Sequence, residues 1–252
     1  MLRIKYIVFS ALLLLVYNIS ASTTPETVEL RLYQSYKLGK MDVWVKVMDE
    51  LNNQYKVHPS SELLYRIVEI QYGYIGYLIG LNDNRTAKDY LSKAEKNVDV
   101  ILQLQPQNAD ALAIKASLLA FHIALSPYKA PFLGPKSISL IDEAYSKRKD
   151  SPQVLIEKGN SLHYAPKMFG GDTEMAIKFY LRAIATFENQ NNGIYPQSWL
   201  YLNTITQLAL AYEKSNQNQK ALATYRHILN IAPDFKWVKD DIYPTFVSKG
   251  LK

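Results

Sequence analysis

The side chains that could carry acid–base chemistry or bind a metal are few and widely spaced. There are four histidines, His58, His122, His163 and His227, and none stands in an H-E-x-x-H or comparable ligand spacing, so no zinc centre is expected. Gly159-Asn160-Ser161 begins like a nucleophile elbow, but His163 takes the place of the closing glycine and no strand leads into it. A Gly-rich phosphate loop is absent, and the carboxylates are too dispersed to nominate an acid and base pair. The chain has no cysteine, which excludes disulfides, thiolate metal sites, cysteine nucleophiles and a lipid-modified cysteine. The expectation is a protein with no catalytic residue, no metal and no cofactor, so not an enzyme. Several polar groups converging on His163 would argue the other way. Asn84-Arg85-Thr86 fits the glycosylation pattern, which matters only in a eukaryotic source.

Binding chemistry has more candidates, and helices must position them. From Thr24 onward the apolar residues recur at helical spacing in segments of about 11 to 20 residues, with no convincing alternation of apolar and polar residues. Thr24-Pro25 and Ser151-Pro152 each place a side-chain oxygen at a helix cap and a proline at the first helical position. Asp172, before Thr173 and Glu174, offers a carboxylate to the unpaired N–H groups of the helix that follows. Pro59, Pro106, Pro152, Pro196 and Pro233 are separated by 47, 46, 44 and 37 residues. That period predicts a two-helix unit repeated about five times. The pairs fall at 27 to 38 with 41 to 54, 61 to 80 with 86 to 104, 109 to 125 with 136 to 147, 152 to 164 with 173 to 188, and 197 to 214 with 218 to 230. Neither helix of a pair can bury its apolar stripe alone, so neighbouring pairs must stack.

In the final unit Ile205, Leu208, Ala209 and Tyr212 precede Ala221, Tyr225, Ile228 and Pro233. These residues resemble the tetratricopeptide repeat, in which a bulky residue, Leu, a small residue and Tyr precede Ala, an aromatic and a closing Pro. Ile205 replaces the usual Trp and Ala209 the usual Gly. Ala94, Val98, Ile101 and Pro106 repeat the second-helix offsets, and Ala176, Tyr180 and Ala183 repeat them without the proline, while the first and third units fit poorly. A narrower likeness spans Gly159, Tyr164, Pro166, Phe169, Gly170, Gly171 and Ala176, which is similar to a long-loop unit of exported bacterial tetratricopeptide proteins. The fold the resemblance implies is all-α, a right-handed solenoid of about five stacked helix pairs over residues 23 to 252.

That resemblance also implies a concave groove lined by the first helix of each pair. Its candidate hydrogen-bonding residues are Arg66, Ser117, Asn160, His163, Asn203 and Thr206. Two connections inside pairs look overlong, 126 to 135 and 164 to 171. Equivalent loops of a solenoid emerge along one edge, so Tyr128, Phe132, Tyr164 and Phe169 could form an aromatic lip or could plug the ends of their helix pairs. Tyr65, Tyr72, Tyr74 and Tyr77 crowd a segment with Gly73, Gly76 and Gly80. Those glycines permit close approach of another helix, with the rings packed around the contact; the alternative is an aromatic face for a peptide or sugar. The function expected is presentation of a groove to a protein or peptide partner. The alternative is a small-ligand or transport-accessory protein whose repeats close around a pocket.

The first residues read as a targeting segment: Arg3 and Lys5, an uncharged apolar run from Tyr6 to about Ile19, then the small residues Ser20, Ala21 and Ser22. That order is a secretory signal peptide over residues 1 to 22, and the run falls short of the roughly 20 residues needed to span a bilayer. Export to the periplasm or the extracellular space follows, without stable membrane insertion after cleavage. Loss of Arg3 and Lys5 takes the net charge from +6 to +4. The lysines are scattered, so no nucleic-acid partner is expected.

Overall fold

The structure is a computed structural model that describes residues 27–191 and 195–250. The expected signal segment and the Thr24-Pro25 cap lie outside them. Among the described residues every regular element is helical, and ten helices form five pairs: α1 (Val28–Lys37) with α2 (Asp42–Val57), α3 (Ser61–Gly80) with α4 (Asn84–Leu104), α5 (Ala109–Leu125) with α6 (Ala130–Lys147), α7 (Pro152–Tyr164) with α8 (Thr173–Gln190), and α9 (Trp199–Lys214) with α10 (Asn218–Ile231). A π-helical turn, Trp237–Ile242, and a short α11 (Tyr243–Ser248) cap the last pair. Each pair packs internally and onto the next, as a solenoid of helix pairs requires.

Local chemistry marks the helix starts. The side chains of Ser60, Asp83, Asn108, Ser151, Asp172 and Ser198 each accept a hydrogen bond from the backbone N–H three residues on, filling one of the donors a helix N-terminus leaves unpaired. Gly39, Asn82 and Asn216 all adopt a left-handed backbone in the turn between the helices of their pairs. Glycine and asparagine tolerate that conformation best.

Counted from the turn, the repeat becomes clear. Ala87, Ala176 and Ala221 each stand four residues after the N-cap of their helix and are fully buried, where a small side chain lets two helices approach. Helix α4 has 21 residues against 14 in α10. The difference of seven residues is about two turns, so Ala94, Val98 and Ile101 extend the buried face that Ala87 and Leu91 begin. The spacing of 47 residues from Pro59 to Pro106 reflects this lengthening.

The third pair corrects the sequence reading. Residues 126 to 135 are not a loop: Pro127–Lys129 form a 3-10 turn, and α6 begins at Ala130 instead of residue 136. Pro131 falls in the first turn, where a helix has no N–H bond to lose, and Pro135 lies just beyond it. The connection 164 to 171 in the fourth pair is a true loop around a 3-10 turn, Lys167–Phe169.

The superhelix also closes on itself. Helix α1 packs against α9, with the Tyr36 hydroxyl donating to Asn203 Oδ1 at 3.1 Å and Lys37 bonded to Asp234 at 2.9 Å. Trp199, at the start of α9, meets Trp44 of α2 edge to face with ring centroids 5.0 Å apart. It also lies against α3, where a methyl on Gly73 would stand 2.7 Å from its ring. The close approach expected of the tyrosine and glycine segment therefore takes place at Gly73. Gly80 has nothing within 4 Å of an added methyl.

A candidate interaction surface at the loop edge

The six polar residues expected to line the groove have partners within the protein. Ser117 and Asn160 both donate to Glu157, a buried carboxylate that also takes bonds from Gln153 at 2.7 Å and from the Tyr72 hydroxyl. Asn160 in turn accepts from Tyr180 at 2.8 Å. Burial raises the Glu157 carboxyl above the usual range, and these hydrogen bonds oppose the shift. Arg66 pairs with Glu69 and Glu29. Asn203 accepts from Tyr36. Thr206 is fully buried and bonds the Leu202 carbonyl at 2.8 Å.

His163 is buried too. Its ring meets Tyr164 edge to face at 4.6 Å, its carbonyl accepts from Lys214, and its Nδ1 has no hydrogen-bond partner among the described residues. Burial first and the Lys214 charge second lower its pKa to about 4, so the imidazole is neutral near pH 7. The convergence of polar groups that would mark an acid–base site centres on Glu157, with His163 outside that hydrogen-bond network. Among the described residues no group of three His, Cys, Asp or Glu could hold a metal ion.

The aromatic residues of the two connections stand differently. Tyr128 is 77% exposed, Phe132 75% and Phe169 48%, so none of them plugs a helix pair. Tyr164 exposes its ring while its hydroxyl is fixed to Gln207 at 2.6 Å. Met168, not singled out from the sequence although it adjoins Phe169, is 82% exposed. Both connections leave the C-terminal ends of α5 and α7, first helices of successive pairs that pack side by side. The fourth-pair loop is held rigidly. Gly170 has a φ of +86°, a methyl on Gly171 would stand 1.9 Å from the Ala165 carbonyl oxygen, and the Pro166 carbonyl accepts from both Phe169 and Gly171. One on Gly159 would stand 2.6 Å from the Tyr180 ring. The Gly-Tyr-Pro-Phe-Gly-Gly arrangement thus builds a fixed loop and leaves its apolar tips in solvent.

A trough leads to this edge along α4 and α5. One recess of about 310 Å³ is lined by Val98, Asp99, Lys115 and Leu118, and a second of about 280 Å³ by His122, Lys129, Phe132 and Leu133; Glu95 and Leu119 line both. Two polar contacts tie its walls together, the ion pair of Lys115 with Asp99 at 2.7 Å and the hydrogen bond of His122 with Glu95 at 2.8 Å.

The family model "Tetratricopeptide repeat" matches residues 202–235, the span in which Ile205, Ala209, Ala221 and Tyr225 are all buried at the helix contact. This segment is a tetratricopeptide repeat, and the helix pairs before it stack in the same manner. Among solved structures, a thermophilic TPR protein of Thermus thermophilus is similar over 89% of this chain and 98% of its own, at 19% identity and a TM-score of 0.55. The HusA haemophore of Porphyromonas gingivalis is similar over 75% of this chain and 96% of its own, at 14% identity and a TM-score of 0.55. Identities this low show a common fold. No match was found among curated protein sequences. The TPR fold supports a protein-interaction or scaffold role, and no described helix is long and apolar enough to cross a membrane.

Proposed function

We propose that the chain is an exported docking scaffold that holds a protein or peptide partner at its loop edge, without covalent chemistry. One observation carries this reading: Tyr128 on the 3-10 turn after α5, Phe132 in the first turn of α6, and Met168 and Phe169 on the loop after α7 are large, apolar and exposed, and the loop is conformationally fixed. Clustered exposed apolar side chains of this kind mark interaction surfaces, and a rigid presentation lowers the entropic cost of binding. The polar residues on the inner helix faces are engaged in hydrogen bonds and ion pairs within the protein. Export rests on the order of charged, apolar and small residues in the first 22.

Capture of partners by the full chain, followed by the same capture with a Phe132→Ala, Phe169→Ala double variant of unchanged melting, tests the reading. Loss of the partner supports it; undiminished capture overturns it.

A second reading has its own support. The P. gingivalis relative is a haemophore, and the smaller recess sets His122 and Lys129 beside Phe132 and Leu133, a setting for an apolar small molecule with an anionic group. Titration with haemin, followed by its absorption, separates the two: saturable binding lost in His122→Ala would favour the ligand.

A further inference from the structure

We infer that the partner segment is acidic as well as apolar, and that it lies along the trough between α4 and α5 with an apolar side chain at Phe132 and Leu133. This deepens the proposed edge function and rests on it.

The trough is charged asymmetrically. Its two carboxylates are already engaged inside the protein, Glu95 by His122 and Asp99 by Lys115. Its remaining cations are not: Lys96 and Lys129 have no carboxylate partner among the described residues. Beyond the trough, the stretch from Ser126 to Lys136 adds Lys136 and no acid, and the stretch from Tyr164 to Gly171 holds Lys167 and no acid. An approaching chain meets lysines set among apolar side chains, with no free carboxylate in the trough to repel an acid. A basic segment would bring like charges together, and like-charge juxtaposition is strongly disfavoured.

Shape selects a chain over a flat surface. The recesses are open, small by the standard of ligand pockets, and joined through Glu95 and Leu119 into one elongated depression. Each suits one or two side chains of a segment running along it. A lipid surface would use the protruding tips and leave the depression empty.

The test is a selection of random dodecapeptides displayed on phage against the full chain, followed by affinity measurement on a synthetic selected peptide. The expected pool is rich in Asp and Glu beside Phe, Leu or Trp. Binding should weaken at least tenfold in Lys129→Glu and in Lys96→Glu, each with unchanged melting, and should recover when an acidic residue of the peptide is changed to Lys. A neutral or basic pool, or peptides that bind both charge-reversed proteins normally, would overturn the inference. Phosphatidylcholine vesicles with and without phosphatidylserine form a parallel arm; co-sedimentation only with the anionic vesicles, and no enriched peptide, would assign the lysines to a membrane and overturn it too. Phe132→Ala keeps the two levels apart. If it binds the selected peptide normally, the edge reading itself fails. If Phe132→Ala weakens binding while Lys129→Glu does not, only the acidic character fails.

Discussion

Trp199 lies against Gly73, so closely that a single added methyl on the glycine would stand 2.7 Å from the indole. The two residues are 126 positions apart in sequence, since 199 − 73 = 126, and belong to the fifth and second helix pairs. Their contact, with Trp44 and Tyr36 beside it, turns an open array into a closed one. It covers part of the inner face that the helix pattern alone presents as a groove.

Gly73→Ala should therefore destabilise the protein by about 1–3 kcal/mol, the range for overpacking a filled contact. Gly80→Ala, where an added methyl meets nothing within 4 Å, should be neutral or slightly stabilising. Denaturant unfolding of both variants gives the comparison; equal midpoints would mean that α9 does not press on α3.

Ala221 tests the repeat register in the same way. It is fully buried at the contact of α9 with α10, while Gln219 two residues earlier is exposed. Ala221→Leu should lower stability by about 1–3 kcal/mol, and Gln219→Leu should change little. A wild-type melting temperature for Ala221→Leu would displace the register.

The tetratricopeptide unit was legible because Ile205, Leu208, Ala209, Tyr212, Ala221 and Tyr225 are local determinants of one helix contact, and all six are buried as their spacing requires. The start of α6 was not, because prolines at positions 127, 131 and 135 read as breaks although at least Pro131 falls where a helix tolerates it. For Asn160, His163 and Thr206, spacing gave the direction of the side chain. What it could not give was the cover, since that depends on the superhelical path bringing α1 and α9 together. The exposed aromatics were half legible: their types were evident, but only the folded backbone, which leaves Tyr128, Phe132 and Phe169 exposed, decides between lip and plug. The trough of Glu95, His122 and Lys129 went unseen because its residues are scattered over three elements.

Glu157 should be costly to remove. Glu157→Ala leaves the donors of Ser117, Gln153 and Tyr72 without this acceptor and Asn160 with only the Tyr72 hydroxyl, and one unsatisfied buried group costs about 1–3 kcal/mol. A loss of at least about 3 kcal/mol in denaturant unfolding is expected. A smaller loss would mean that water serves these donors as well as the carboxylate does.

His163 should make stability depend on pH. Its pKa falls from 6.5 to about 4 on folding, so between those values the unfolded chain binds the extra proton. The contribution of this residue to stability is then complete above pH 6.5 and is lost as pH falls from 6.5 to 4, amounting to about 3 kcal/mol at the acid end. In His163→Gln the stability difference between pH 7 and pH 4 should shrink by that order. An unchanged slope would show that the imidazole titrates as it does in water.

The proposal that the loop edge, not the interior, contacts the partner is tested most directly by one comparison of affinities. Binding of the captured partner is measured for Phe132→Ala and Phe169→Ala, for the interior variants Asn160→Ala and Asn203→Ala, and for the exposed control Lys178→Ala, each with wild-type helical content at the assay temperature. Truncating an aromatic anchor commonly costs about 2 kcal/mol or more, about thirtyfold in affinity. The account predicts that loss for at least one edge phenylalanine and wild-type affinity for the interior variants and the control. Normal binding by both phenylalanine variants, with a loss in Asn160→Ala or Asn203→Ala, would place the partner in the interior and contradict it.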